Sequence, residues 1–328
     1  MKRRDVLALG LAAVSARALL PRPAIAQSKY PDHPVRLVIP FPPGGVFDAV
    51  GRPWADKVKP HLGTIVVENI GGAGSSLGHA AVARATPDGY TIVLGGIGGL
   101  VINPLASSHT PYDPLKDFEP IALLGTNPTL IDVHPAQPIK TLKELIDDAK
   151  AHPGKWSYGS SGVGSNNHLA GELFKSLTKT QITHIPYRGA GPALADLISG
   201  HIPMLVQSVT GQAIEMHNTG KMRILAVTDT KRLVSAPEIP TAAEAGLPDL
   251  VSKNFIGLWG PKGTPKAIVD QIAEATRKAV ADKELQRMYT VAGFDLDHES
   301  TPERTRAFLE SEIAKWGPII KSIGLKLD

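Results

Sequence analysis

Short apolar runs rich in β-branched residues recur along the chain, each stopped by glycine or proline and followed by a stretch with helical spacing. Val35–Ile39 ends in Pro40-Phe41-Pro42-Pro43-Gly44-Gly45, which predicts a buried strand, a tight turn and then a helix over about residues 48–61. Residues 64–68 predict a second strand, followed by the glycine-rich segment 69–76 and a helix around 77–84. Residues 90–94 predict a third strand, ending at Gly95-Gly96-Ile97-Gly98-Gly99. Strand, glycine turn and helix in repetition specify an α/β fold, a mostly parallel sheet with helices on both faces. Ligands of such sheets sit beyond the carboxyl ends of the strands, where these turns lie.

Residues 118–133 form an apolar run too long for one ordinary strand and read as a crossing into a second domain. Thr141 and Glu144 then make a capping-box pattern ahead of a helix, and the strand–turn–helix pattern restarts. Strands are expected near 156–158, 182–186, 204–208 and 223–228, with a helix over 168–177. Residues 254–259 read as the return crossing, stopped by Gly260-Pro261, and amphipathic helices over 266–280 and 302–322 close the chain. The expected organisation is domain 1 from 27–126 and 255–328, and domain 2 from 127–254.

The turn chemistry points to anions. Gly44 and Gly45 carry no side chain, so the N–H groups beside them lie bare near a helix N-terminus, where negative charge is stabilised. The second polar loop, residues 159–167, offers three serine hydroxyls and two asparagine amides ahead of a helix, although Ser165 or Asn166 also reads as a plain cap. Gly74-Ser75-Ser76-Leu77-Gly78 matches a G-x-S-x-G pattern, but a nucleophile elbow needs one sharp strand-to-helix turn. Here residues 69–74 intervene, so Ser76 reads as structural. His79 and His168 fall near helix N-termini and read as neutral, hydrogen-bonded side chains. No metal-ligand spacing, P-loop or dinucleotide fingerprint occurs, so neither metal nor cofactor is expected. Donors on two walls without an acid–base–nucleophile set suit capture rather than chemistry.

Charge changes the picture once it is located. Residues 1–26 hold five basic side chains and one acidic one, so of 35 basic and 31 acidic residues the remainder of the chain keeps 30 of each. That neutrality argues against a nucleic-acid partner. The early charge belongs to an export pattern: Lys2-Arg3-Arg4, an apolar run over 6–20, and Ala24-Ile25-Ala26 with cleavage expected before Gln27. Arg3-Arg4-Asp5-Val6-Leu7 resembles a twin-arginine signal. The chain has no cysteine, which excludes disulfides and thiolate sites. Its 328 residues suffice for two cores, so a cysteine-free periplasmic protein is expected.

Taken in order, several segments resemble the tripartite tricarboxylate transporter substrate-binding receptors, the Bug family. They are Tyr30-Pro31, Val35 through Gly45 with Asp48, Gly72-Ala73-Gly74, Pro87-Asp88-Gly89-Tyr90, Tyr158-Gly159-Ser160, Gly162, Gly164-Ser165, His168-Leu169, Pro186-Tyr187-Arg188-Gly189 and Leu225-Ala226-Val227-Thr228. The resemblance implies a two-domain periplasmic binding protein, type II-like, joined by two crossing strands and monomeric. It implies capture of a small organic carboxylate for a large and a small membrane subunit of a secondary transporter. One carboxylate would be held at Pro43, Gly44, Gly45, Ala73, Gly74 and Ser75, and the far end at Ser160, Ser161, Gly162, Ser165 and Asn166. Val46 and Phe47 replace the smaller or hydroxyl residues of many relatives and narrow the pocket or give it an apolar wall. Gln207 stands where many relatives have aspartate; as a neutral amide it is expected to donate to a second carboxylate, favouring a dicarboxylate, aliphatic or aromatic, over an amino acid. The competing readings are a ligand sensor for a signalling partner and a secreted serine hydrolase using Ser76.

Overall fold

The computed structural model describes residues 30–327, so the export signal and its cleavage point lie outside the described residues. The chain falls into two compact units. Of the first, Met1–Asp32, residues 30–32 are described and contain a cis Tyr30–Pro31 peptide. The second, His33–Asp328, carries all the elements that follow.

In chain order these are β1 (Val35–Ile39), α1 (Val46–Leu62), β2 (Ile65–Asn69), α2 (Ser76–Ala83), β3 (Thr91–Gly96), the short α3 (Asn103–Ala106) and β4 (Phe118–Val133). Next come α4 (Leu142–Ala151), β5 (Ser157–Ser160), α5 (Asn166–Thr178), β6 (Thr183–Pro186), α6 (Ala190–Ile198), β7 (Met204–Ser208), α7 (Gly211–Asn218) and β8 (Arg223–Val227). The chain closes with β9 (Lys253–Pro261), α8 (Lys266–Val280), α9 (Lys283–Val291), β10 (Asp295–Leu296) and α10 (Pro302–Ser322).

Two sheets share β4. In the first, β2, β1 and β3 run parallel, β9 is antiparallel to β3, and β4 is antiparallel to β9. In the second, β6, β5 and β7 run parallel, and β4 is flanked by β7 and β8, both antiparallel to it. Helices pack against β1, whose sequence is apolar and buried at every position but Arg36. β2, at the edge, alternates between half-buried and exposed positions.

The apolar run over 118–133 is one strand of 16 residues that leaves the first sheet and enters the second. Its register slips between Pro120 and Ala122 and again between Leu123 and Gly125, and such bulges bend a strand. At the second slip the Leu123 N–H is satisfied by side chains, donating to Ser300 Oγ at 2.6 Å and Thr305 Oγ1 at 2.9 Å. β9 returns beside β4, with Lys253 opposite Pro128. A large buried cluster runs through both sheets, from Val38 and Val93 to Trp156, Phe174 and the α10 residues Leu309 and Trp316. A smaller one fills the space between β4, β7, β8 and the helices α6 and α7.

Three features lie outside the sequence reading. Helices α6, α7 and α9 were not signalled; in α9 only Leu285 and Tyr289 are buried, too few to set a period. β3 continues through Gly95 and Gly96, where a turn was expected. Neighbouring rings occupy the space side chains would take: a Cβ would meet the Trp259 ring at 2.8 Å from Gly95 and Phe47 Cζ at 2.7 Å from Gly96. The Thr141 cap forms as read, but the Glu144 carboxylate reaches the Lys140 N–H instead of the cap's own.

The paired change Ser300→Ala with Thr305→Val leaves the Leu123 N–H buried without an acceptor. It is expected to lower unfolding free energy by about 1–3 kcal/mol, measured by urea denaturation.

Candidate functional site

The strand ends β1, β2 and β5 deliver three loops to one cleft, and each is shaped by a different device. After β1, Gly44 takes φ +96°, and its N–H donates to Asp48 Oδ2 at 2.7 Å. Asp48 Oδ1 also accepts from Arg52 Nε at 2.8 Å, and Asn69 Nδ2 holds the Phe41 carbonyl at 2.8 Å. This framework ends the turn at Gly45, which heads α1 with no side-chain cap. The first-turn N–H groups of Val46 and Phe47 have no helix carbonyl before them.

After β2 the chain is strained. Ala73, Gly74 and Ser75 have φ of +46°, +59° and +86°, and two of the three are not glycine. Such conformations persist only where the surroundings impose them. Asn103 Nδ2 donates to the Gly74 and Gly98 carbonyls at 2.8 and 2.9 Å, and His79 Nδ1 contacts the Ser75 carbonyl at 2.9 Å. Ser75 heads α2 without a side-chain cap, and its hydroxyl is buried with no hydrogen-bond partner. An orphaned hydroxyl in a strained, pinned loop is suited to a ligand atom.

After β5, Ser160 Oγ accepts from the Gly162 N–H at 3.1 Å and pairs with His184 Nε2 at 2.7 Å. Ser165 Oγ caps α5 by accepting from the His168 N–H and donates to the Gly162 carbonyl. His168 Nδ1 accepts from the Gly164 N–H at 3.2 Å, and the two imidazoles stack at 4.0 Å.

Loops from the two sheets meet. A Cβ on Gly74 would lie 2.2 Å from the Val163 carbonyl oxygen, and one on Gly164 would lie 2.3 Å from Asn103 Oδ1. Between them lie two chambers that share Phe41, Pro42 and Ser161. The first, a cavity of about 40 Å³, is lined by Gly45, Val46, Phe47, Ala190 and a polar group comprising Asn167, Ser208, Thr210 and Asn254, with no charged side chain among the described lining residues. The second is lined by Gly71 through Ser75, Gly162 and Val163, with exposed Arg188 on its rim.

Of the expected residues, Gly45, Val46, Phe47, Ser165 and Asn166 line the first chamber, Ala73, Gly74, Ser75 and Gly162 the second, and Ser161 both. Pro43 and Gly44 line neither, and the Gly44 N–H is taken by Asp48. Ser160 is fully buried and spent on its own loop and His184. The Asn166 amide lines the chamber but is occupied by Thr129 and Ser252. Gln207 is a correction: its amide donates to Asp132 Oδ2 at 2.6 Å, beneath the sheet, because side chains alternate along β7 and Ser208 takes the cleft face. Burial raises the Asp132 carboxyl well above its ordinary range, with the Gln207 bond opposing. Ser208, Thr210 and Asn254 were not named and Asn167 only as one of the two amides of the polar loop, and the parity of β7 was the available signal for Ser208. Ser76 Oγ is met by the Tyr112 hydroxyl at 3.5 Å, while His79 faces the Ser75 carbonyl, so these residues form no nucleophile–base pair.

The sequence pattern of the "Tripartite tricarboxylate transporter family receptor" matches residues 50–325. The chain belongs to that receptor family. Protein BugT of Bordetella pertussis is 32% identical over 305 residues, covering 92% of this chain and 93% of that one. MatC of Rhodopseudomonas palustris, solved with bound malate, superposes with a TM-score of 0.84 at 30% identity, over 89% of this chain and 100% of that one. Rpa4515 of R. palustris, solved with adipate, gives 0.85 at 31% identity, over 90% and 99%. The receptor fold accounts for two α/β lobes with loops converging between them.

Burial holds His79 and His168 neutral, each down to about 4; the Ser75 carbonyl opposes this at His79, and Glu172 opposes it at His168. Histidine in the unfolded chain titrates near ~6.5. Below that pH the unfolded state binds the extra protons, so this contribution to stability is complete above ~6.5 and falls as pH drops towards about 4. His168→Asn should flatten the slope of unfolding free energy against pH in that window by up to ~1.4 kcal/mol per pH unit, read by urea titrations. Gly74→Ala should hold the two loops apart, giving a larger radius of gyration by small-angle scattering while the far-ultraviolet circular dichroism stays that of the parent.

Proposed function

We propose that this receptor captures a small carboxylate in the periplasm and delivers it, unaltered, to the large and small membrane subunits of a tripartite tricarboxylate-type transporter. The observation that carries the reading is the junction of the two chambers. There the uncapped N-terminus of α1, on the first chamber, and the orphaned Ser75 hydroxyl, on the second, leave two kinds of donor without a partner where an anion is stabilised. Malate and adipate in the two related structures support an acid as the ligand. A dicarboxylate is the finer form: the second head would meet the neutral donors Ser161, Asn167, Ser208 and Thr210, with Gln207 no longer counted among them. Residues 27–126 with 255–328 and residues 127–254 are the two bodies that close on it, hinged where β4 and β9 cross. The periplasmic neighbours support the location.

A thermal-shift and calorimetry screen of the protein from Gln27 onward tests this against malate, succinate, adipate, terephthalate, glutamate and aspartate. A ligand at a hundred times its Kd adds about 2.7 kcal/mol, and at least one dicarboxylate is expected to do so. The reading fails if no carboxylate raises the midpoint, or if the purified protein consumes the acid.

A further inference from the structure

The two chambers differ in size and in charge. The first, about 40 Å³, has room for a few atoms at most, whereas the second is a cavity of about 510 Å³. Among the described lining residues of both, Arg188 carries the one charge, and no carboxylate offsets it. It is exposed, and among the described residues no ion pair or hydrogen bond engages its guanidinium. The free charge stands on a fixed base. The Tyr187 N–H donates to the Ser160 carbonyl at 3.2 Å, and its hydroxyl donates to Asp196 Oδ2 at 2.7 Å. On the other side a Cβ on Gly189 would lie 3.4 Å from Pro42 Cγ, so Arg188 sits where the loop ahead of α6 meets the loop after β1. Gly189 heads α6 without a side-chain cap, which sets the positive end of that helix beside the guanidinium. The chain from Gln27 onward is formally neutral, so it exerts no net pull on an anion, and any attraction has to be local.

We propose that Arg188 is a capture charge: from the mouth of the second chamber it speeds the entry of doubly charged acids over singly charged and zwitterionic ones, and leaves the holding to the neutral donors deeper in. A charge on a rim acts on the encounter, while the groups around the bound molecule set how long it stays. A dianion feels twice the attraction of a monoanion at the same distance, so one unpaired guanidinium sorts acids by charge before shape is tested. Salt weakens this sorting, because the screening length falls from ~30 Å at 0.01 M to ~3 Å at 1 M. The proposal rests on the carboxylate reading above and adds how the acid is admitted and which charge state is favoured.

Association and dissociation rates measured by surface plasmon resonance on the protein from Gln27 onward test it, using those of malate, succinate, adipate and terephthalate that bind. At about 10 mM ionic strength, Arg188→Gln is expected to slow association about fivefold or more, with dissociation changed less than about twofold. At about 1 M salt the two proteins should associate at equal rates. Arg188→Lys keeps the charge and should keep the rate. Lys221→Gln removes the same charge from an exposed position ahead of β8, at the end of that strand away from the cleft, and should change nothing. Unchanged association in Arg188→Gln, or a loss that persists at high salt or is carried by faster dissociation, overturns the proposal and leaves the carboxylate reading standing. Binding of glutamate or aspartate alone overturns the preference for double charge. Binding of no acid at all overturns both readings.

Discussion

The side-chain amide of Asn103 is the tie on which the cleft depends. It is buried, donates to the carbonyls of Gly74 and Gly98, and places its oxygen against Gly164. One residue therefore joins the strained loop after β2, the turn after β3 and the facing loop from the second sheet. Left-handed Ala73 and Ser75 are costly conformations, and they are held because the Gly74 carbonyl has a fixed partner. The shape of this loop is thereby fixed by the chain's own contacts, so an occupant of the cleft need not supply that ordering.

Much of the architecture was legible because burial on both faces leaves a plain trace. Val35–Ile39 is apolar and buried at every position but Arg36, as a strand covered on both faces is. The 118–133 run is long because one strand serves two sheets, and no short strand could keep that pattern for 16 residues. Loops were legible through their glycines, since a chain that approaches another backbone closely has few other residues to use. Helices α6, α7 and α9 were not, because a short helix with two or three buried positions leaves no period to count.

Side chains in the site were harder to foresee, for a countable reason. A serine or an asparagine has few hydrogen bonds to give, and composition does not say where they go. Ser160, Ser165 and Asn166 spend theirs on their own loop, the head of α5 and the crossing strands. Gln207 and Ser208 differ by a single step along β7, and that step decides which one meets the cleft. Asn167 accepts from Ser208 and donates to Ser161, and so joins the two in one polar wall.

Thr141, Ser165, Thr210, Asp282 and Thr301 each cap a helix with a side chain, and two of these, Ser165 and Thr210, stand at the first chamber; α1, α2, α6 and α8 start without one, the first three of them bordering the chambers. Main-chain N–H groups are common to every amino acid except proline. The proposed grip, made of them, is almost out of reach of point mutation: exchanging Val46 or Phe47 would reshape the room around a guest without removing the N–H groups that hold it. A lineage built on such a scaffold is free to change its diet by repainting the walls, one substitution at a time, with the handle for the acid inherited intact.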